Sequence, residues 1–172
     1  VAAGALASIE PDDLAYPLGP QVGAARLGVY ALTKLRSYEA LASAVLDAQG
    51  QPVSRWWPVA YALQRIGDPR AAPVLLTLLS TPGRYTAAFA AKGLAATKAT
   101  QAAGPLREIV TERRRDQAVV IEAVRALAAL GDQAAVPVLT KIVTDRTVTG
   151  ALKLEAMAAL GTLIDVRGID LL

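Results

Sequence analysis

Apolar residues recur along this chain in one helical pattern that is repeated at a nearly constant interval. Segments such as VAYALQRIGD (residues 59–68) and AVRALAALGD (residues 123–132) align without gaps, and their apolar residues follow the i, i+3, i+4 spacing of a helix face. Each copy contains one leucine that follows a small residue. These shared leucines lie at intervals of 31, 31, 33 and 33 residues: Leu32, Leu63, Leu94, Leu127 and Leu160. The pattern therefore predicts a repeat of about 32 residues.

A second apolar helix is predicted after the first in each copy. Its leucines, Leu75, Leu106 and Leu139, are spaced 31 and 33 residues apart. The linkers GDPRAAP and GDQAAVP contain a glycine suited to the left-handed end of a helix, an aspartate suited to a turn or cap, and a proline suited to the next helix start. At the corresponding place Lys98 and Ala99 depart from the Gly-Asp pattern, so we expect that turn to have a different shape.

One such helix pair cannot bury its own apolar faces, so the copies must stack on one another. The sequence thus predicts an all-α solenoid of stacked antiparallel helix pairs. We predict repeat units at residues 21–50, 53–83, 84–116 and 117–147, and a truncated fifth unit at residues 148–172. Residues 1–20 are interpreted as a remnant helix and a proline-rich connector. The start at Val1 without a methionine, and the end in an apolar pattern at Leu171 and Leu172, favour a segment of a larger multidomain protein.

The repeated motif A-L-x-x-[IL]-G-D followed by A-x-P-x-L resembles the short bacterial HEAT-type repeats that are also seen in phycobilisome lyases. It is present in ALQRIGDPRAAPVLLTLL and ALAALGDQAAVPVLTKIV, and the resemblance covers the chain from about Gln21 onward. It implies a right-handed α-α superhelix in which the second helix of each pair lines the concave side. The resemblance then places these residues outward on that side: Arg70, Thr77, Arg107, Glu108, Thr140 and Lys141.

The composition narrows the chemistry of this segment. There is no histidine and no cysteine, which removes the commonest general base, the commonest metal ligand and every thiolate site. No glycine-rich phosphate loop occurs, and no pair of carboxylates suggests a catalytic acid and base. The longest stretch without a charge, residues 71–83, is too short for a membrane span. We therefore predict no enzyme activity, no metal site and no cofactor within these residues.

Charge is unevenly distributed along the chain, although the net charge is only +3. Between residues 48 and 107 a single acid, Asp68, accompanies seven bases: Arg55, Arg65, Arg70, Arg84, Lys92, Lys98 and Arg107. This stretch could attract an acidic partner, or it could be a solvated helix face. The run TERRRDQ at residues 111–117 has the same two interpretations, a solvated turn or a contact with a phosphate or an acidic partner.

The sequence WWP at residues 56–58 interrupts the repeat with two aromatic residues and a proline. We call the alignment of the copies on their shared leucines the repeat frame, and each aligned position a column. Trp57 shares a column with Ala88, Ile121 and Leu154, which lies on the predicted buried stripe of the helix. This predicts that Trp57 is buried. Trp56 shares a column with Lys153, which indicates a half-exposed position. Trp56 is therefore interpreted either as a structural residue or as an exposed aromatic grip, that is, a ring that contacts a partner beside Arg55. Pro58 should delay or kink the start of its helix.

These observations favour a protein-interaction scaffold that presents a curved helical surface to a protein or peptide, and an acidic partner is one candidate. An architectural spacer for a catalytic domain outside the segment is one alternative. Nucleic-acid binding through the basic middle repeats is another, although the basic character is modest. The candidate partner-binding residues are Arg55, Trp56, Arg70, Arg84, Arg107 and Lys141.

Overall fold

The computed structural model describes residues 19–168, and this part of the chain is built from helices joined by short turns and by one longer connection at residues 46–56. The helices are α1 (Gly19–Leu35), α2 (Tyr38–Val45), α3 (Trp57–Ile66), α4 (Ala72–Leu79), α5 (Arg84–Ala96), α6 (Ala103–Glu112), α7 (Gln117–Ala129), α8 (Val136–Thr144) and α9 (Gly150–Gly168). Single 3-10 turns precede α4, α6 and α8. The predicted all-α fold is confirmed.

The predicted remnant helix and the connector up to residue 18 lie outside the described residues, as do Leu171 and Leu172. The last two residues of the predicted connector, Gly19 and Pro20, form the start of α1, so the connector prediction is wrong there. Proline is tolerated in a first helical turn because that position has no intrahelical partner for its missing N–H.

The helices form two layers. The first helices of the pairs, α1, α3, α5, α7 and α9, pack side by side in chain order and make the first-helix layer. The second helices, α2, α4, α6 and α8, form the second-helix layer. From α4 onward each of them packs closely on the first helix of the following pair. A continuous apolar core runs between the layers, as expected for a HEAT-like helical solenoid.

Small residues allow the first helices to approach one another closely. Gly93, the residue before the shared leucine of α5, is buried against α3 and α4. A Cβ atom added to Gly93 would lie 3.3 Å from the Cα atom of Gln64 and 2.9 Å from both methyl groups of Leu75. The equivalent residues Ala62 and Ala126 are fully buried. This column therefore sets the distance between neighbouring units.

The turns that follow α3, α5 and α7 each contain one left-handed residue at the same position of the repeat. Gly67 and Gly131 have φ angles of 67° and 68°, the left-handed conformation predicted for them. Lys98 occupies the same position with a φ angle of 53°, so the prediction that its turn differs in shape is wrong. Because both flanking helices are fixed by the stack, the turn must close in the same way even without glycine.

The two repeated aspartates have different partners. The side chain of Asp68 caps its 3-10 turn by accepting a hydrogen bond of 2.9 Å from the backbone N–H of Arg70, as predicted. Asp132 accepts no such capping bond and instead forms an ion pair with Arg107 of the preceding unit, with a nitrogen–oxygen distance of 3.2 Å. One aspartate therefore stabilises its own turn, and the other links two units.

None of the helices in the described residues has both the length and the apolar character required to cross a membrane.

Candidate partner-binding surfaces

Of the two tryptophans, Trp56 is the buried one, whereas the sequence predicted burial of Trp57. Trp56 has only 1% of its surface exposed and packs against Ala25, Val22 and Val53. Trp57 is only partly buried. The hypothesis of an exposed aromatic grip at Trp56 is therefore wrong, and the prediction that Trp57 is the core residue is also wrong.

The local backbone accounts for this reversal. The helix α3 begins at Trp57 with Pro58 in its first turn, so the proline delays the helix start as predicted. Trp56 precedes the helix in an extended conformation, and its ring lies between α1 and the loop before α3. Its column is buried in the preceding and following units too, at Ala25, Ala87 and Val120. Lys153, which suggested exposure, belongs to the last helix of the described array.

Trp57 belongs to an aromatic cluster that links α3 to α5. Its ring stacks on that of Phe89 with the ring centroids 6.0 Å apart, and it meets Tyr61 edge-on at 6.4 Å. Tyr61 and Phe89 contact each other edge-on at 5.3 Å, and Trp56 lies edge-on to Trp57 at 6.3 Å. Edge-on and offset arrangements of this kind are the favoured geometries of aromatic pairs.

This cluster forms the floor of a groove on the first-helix layer. The groove has a volume of about 370 Å³. We call it the aromatic groove, and it is lined by Arg26, Leu27, Val29 and Tyr30 of α1, by Trp57, Pro58 and Tyr61 of α3, and by Phe89 of α5. Leu27 and Tyr30 are exposed at its edge. Concave, largely apolar sites of this size accept apolar side chains of a partner.

The indole N–H of Trp57 has no hydrogen-bond partner within the described residues, although it is buried. A buried donor without a partner is costly, so its presence beside the groove is unusual for a purely structural tryptophan.

Arg70, a candidate partner-binding residue, is held by its own neighbours. Its guanidinium forms ion pairs with Glu39 at 2.8 Å and with Asp68 at 2.7 Å, and it lies over the ring of Tyr38 at 4.4 Å. The hydrogen bonds from Arg70 lower the pKa of Asp68 to about 2. The arginine therefore links the first two units through its side chain.

Arg84 and Arg107 are also paired with acids that lie further along the chain. Arg84 lies 3.5 Å from Asp116, and Arg107 lies 3.2 Å from Asp132. The excess of base between residues 48 and 107 is thus partly neutralised in three dimensions by acids that lie outside that stretch. Arg55 and Lys141 are exposed, on different units of the stack.

The three arginines of the TERRRDQ run point to three different environments. Arg113 ends α6 in a left-handed conformation and pairs with Asp145 at 3.3 Å. Arg114 is largely exposed. Arg115 donates hydrogen bonds to the carbonyl oxygens of Leu79 and Thr81. Two of the three therefore hold adjacent units together, a role that neither the solvated-turn interpretation nor the partner-contact interpretation included.

A second groove, of about 420 Å³, lies on the second-helix layer between α4 and α6. Its lining mixes apolar and charged residues: Leu76, Leu79, Ser80, Pro105, Glu108, Ile109, Glu112, Arg114 and Arg115. Of the residues predicted to point outward on this layer, Glu108, Thr140 and Lys141 are exposed, whereas Thr77 and Arg107 are partly buried. The two acids and two arginines make this groove less suited to an apolar anchor than the aromatic groove.

The first-helix layer carries an ionic contact in the later units where the earlier units have aromatic rings. Arg125 of α7 pairs with Glu155 of α9 and, at 2.7 Å, with Glu122 on its own helix. The hydrogen bond from Arg125 lowers the pKa of Glu155 below its ordinary value. In the repeat frame Arg125 is equivalent to Tyr61 and Glu155 is equivalent to Phe89.

Sequence reasoning missed Tyr30, Tyr61 and Phe89 as site residues. A signal was available, because Tyr30 and Tyr61 share one column of the repeat frame and Phe89 shares a column with Pro58. These columns lie beside that of Trp57, so the alignment could have suggested an aromatic surface. No group of three or more metal-binding side chains occurs in the described part of the chain.

Two family models match the chain. The model described as HEAT repeats matches residues 78–161, and the model described as PBS lyase HEAT-like repeat matches residues 59–81. The two matches together extend over more than half of the chain. Comparison with the curated proteins gives no match.

Proposed function

Because the chain belongs to the HEAT-repeat family, whose arrays generally serve as protein-interaction scaffolds, we propose that it is a non-enzymatic scaffold that binds a protein partner in the aromatic groove. The partner inserts apolar side chains between α1 and α3, above the rings of Trp57, Tyr61 and Phe89.

The observation that supports this proposal is the composition of the groove. Tryptophan, tyrosine and arginine are the residues most often found at the energetic centres of protein interfaces. Here a tryptophan, two tyrosines and a phenylalanine from three different helices meet in one concavity. The rings of its floor are already held by mutual contacts, so little side-chain entropy would be lost on binding.

The basic residues define a second surface within the same proposal. Arg55 and Lys141 are exposed, and Arg70, Arg84 and Arg107 keep partly exposed side chains beside their acidic neighbours. An acidic partner would have to compete with those neighbours, and exposed ion pairs of this kind contribute only about 0–1 kcal/mol. We therefore propose that these residues attract the partner during encounter, which is a steering role. The aromatic groove provides most of the binding energy, which is the anchoring role.

The experiment is a selection of displayed peptides against the whole chain, followed by affinity measurement with two matched variants. We expect the selected peptides to carry apolar or aromatic anchors and to lose at least tenfold in affinity when Tyr30 is replaced by Ser. Lys92→Ser is the control, because Lys92 occupies the same exposed column one unit beyond Tyr61.

Equal weakening by Tyr30→Ser and Lys92→Ser would contradict the proposal, as would the selection of peptides without apolar anchors. An acidic consensus whose binding depends on Arg55 and Lys141 would transfer the anchoring role to the basic surface. Salt-dependent binding of duplex DNA would instead favour nucleic-acid recognition.

A further inference from the structure

The first and the last of the described helices in the first-helix layer each carry an exposed apolar stripe. On α1, Leu27 and Leu35 are 67% and 70% exposed. On α9, Leu154 and Met157 are 65% and 46% exposed. Large apolar side chains scattered singly on a surface are common, but these occur in two helical stripes. The repeat frame shows what each stripe would contact.

One stripe of every first helix is buried only when another unit follows it. Its members lie six and three residues before the shared leucine and one residue after it. These positions are partly or fully buried in α1, α3, α5 and α7 and exposed in α9, where they are occupied by Leu154, Met157 and Gly161. This is the face that each unit presents to the next one.

The opposite stripe is buried only when another unit precedes it. Its members lie five, four and one residues before the shared leucine and three residues after it. These positions are partly or fully buried in α3, α5, α7 and α9 and exposed in α1, where they are Leu27, Gly28, Ala31 and Leu35. The two exposed stripes are therefore equivalent to the two halves of the contact that joins neighbouring first helices.

The close contact between α3 and α5 fixes how the halves would meet. There Gly93, before its shared leucine, lies against the backbone of Gln64, after its shared leucine. The equivalent pair across a junction from α9 to α1 is Gly161 and Ala31. A Cβ atom added to Gly161 meets nothing within 4 Å, so this helix surface is open to close approach.

We propose that a second copy of this chain stacks head to tail on the first, with the exposed stripe of α9 seated on the exposed stripe of α1. The contact repeats the part of the step between units in which neighbouring first helices pack on each other. It is heterologous, so each copy in a pair keeps one of its two stripes uncovered and association continues to longer assemblies rather than stopping at a closed dimer. Because only one helix of each copy takes part in the contact, we expect the association to be weak and dependent on concentration.

Sedimentation of the whole chain over a range of micromolar concentrations tests the proposal. We expect the average mass to rise with concentration through dimers to longer species. The variant Ala31→Glu with Leu35→Glu blocks one end, and the variant Leu154→Glu with Met157→Glu blocks the other. All four positions are exposed, so circular dichroism should report unchanged helix content. Each variant alone should be monomeric.

An equimolar mixture of the two blocked variants is the most discriminating test of a head-to-tail contact. Each supplies one intact stripe, so the mixture should form a species of twice the monomer mass and nothing larger. Ala158→Glu, on the exposed ridge of α9, is the matched control and should associate like the native chain. A native chain that stays monomeric overturns the proposal. So does a blocked variant that still dimerises alone, because that contact would be symmetric.

Discussion

The same pair of positions on neighbouring first helices is filled in two chemically different ways. Between α3 and α5, Tyr61 contacts Phe89 with the ring centroids 5.3 Å apart. Between α7 and α9, the equivalent residues Arg125 and Glu155 form an ion pair. The leucines and small residues beneath these contacts follow one pattern in both regions. The repeat thus fixes the core and leaves the outer columns free to carry an apolar groove or a charged ridge.

Truncation of the shared leucines tests whether the core is equivalent in the two regions. Leu63 in the aromatic region and Leu127 in the ionic region are both fully buried. Replacing either with Ala should lower the free energy of unfolding by roughly 2–5 kcal/mol, because each change leaves a cavity. Urea unfolding followed by circular dichroism measures both. A loss below about 0.5 kcal/mol at either leucine would be typical of a surface position and would contradict the common core.

A double-mutant cycle on Tyr61 and Phe89 measures the aromatic contact itself. With both residues changed to Leu singly and together, we expect a coupling free energy of about 0.5–1.5 kcal/mol, the usual contribution of an edge-on ring pair beyond its buried area. The coupling should be insensitive to salt. No measurable coupling would mean that the two rings stabilise the stack only by filling space.

The turn at Lys98 tests how strongly the stack imposes its geometry. Lys98 has a positive φ angle of 53°, and a non-glycine residue in this conformation is strained. Lys98→Gly should therefore raise the free energy of unfolding by roughly 0.5–1 kcal/mol, after allowance for the greater chain entropy of glycine.

The converse substitution is Gly131→Ala, at the turn position equivalent to Lys98. Its added Cβ atom meets no other group, so only backbone strain opposes it. This variant should lose about as much stability as Lys98→Gly gains. A destabilised Lys98→Gly protein would show that the lysine makes a favourable contact that outweighs the strain.

The ionic contact should have the smallest effect and the greatest dependence on conditions. A double-mutant cycle on Arg125 and Glu155 should give a coupling of about 0.2–1 kcal/mol at low ionic strength, decreasing in high salt. Arg125 lowers the pKa of Glu155 from its ordinary value of 4.5. The stabilisation is therefore fully present above the unfolded pKa and is lost as the pH falls through the lower pKa of the folded protein.

Repeating the cycle at neutral and at strongly acidic pH measures this loss. A coupling that persists after the carboxyl group is protonated would show that Glu155 acts through packing rather than charge. In either case the aromatic cycle on the earlier units should not change over the same pH range, because no carboxylate takes part in the contact between Tyr61 and Phe89.

The sequence alone was sufficient to predict the all-α repeat, the shared leucines, the small residues before them and the left-handed glycines. These features depend on local spacing and on backbone preferences that act within a single helix or turn. The stacked arrangement followed because a lone pair of helices cannot bury both apolar faces.

Only the tertiary structure decided which side chains meet. It buried Trp56 and left Trp57 at a groove, because the helix start at Trp57 and the position of α1 determine which ring is covered. It brought Tyr30 and Phe89 to that groove from helices distant in sequence, and it paired Arg84 and Arg107 with acids further along the chain. It also forced Lys98 into a glycine-like turn. Each of these outcomes depends on the neighbouring unit, whose position is set by packing across the stack rather than by any local pattern.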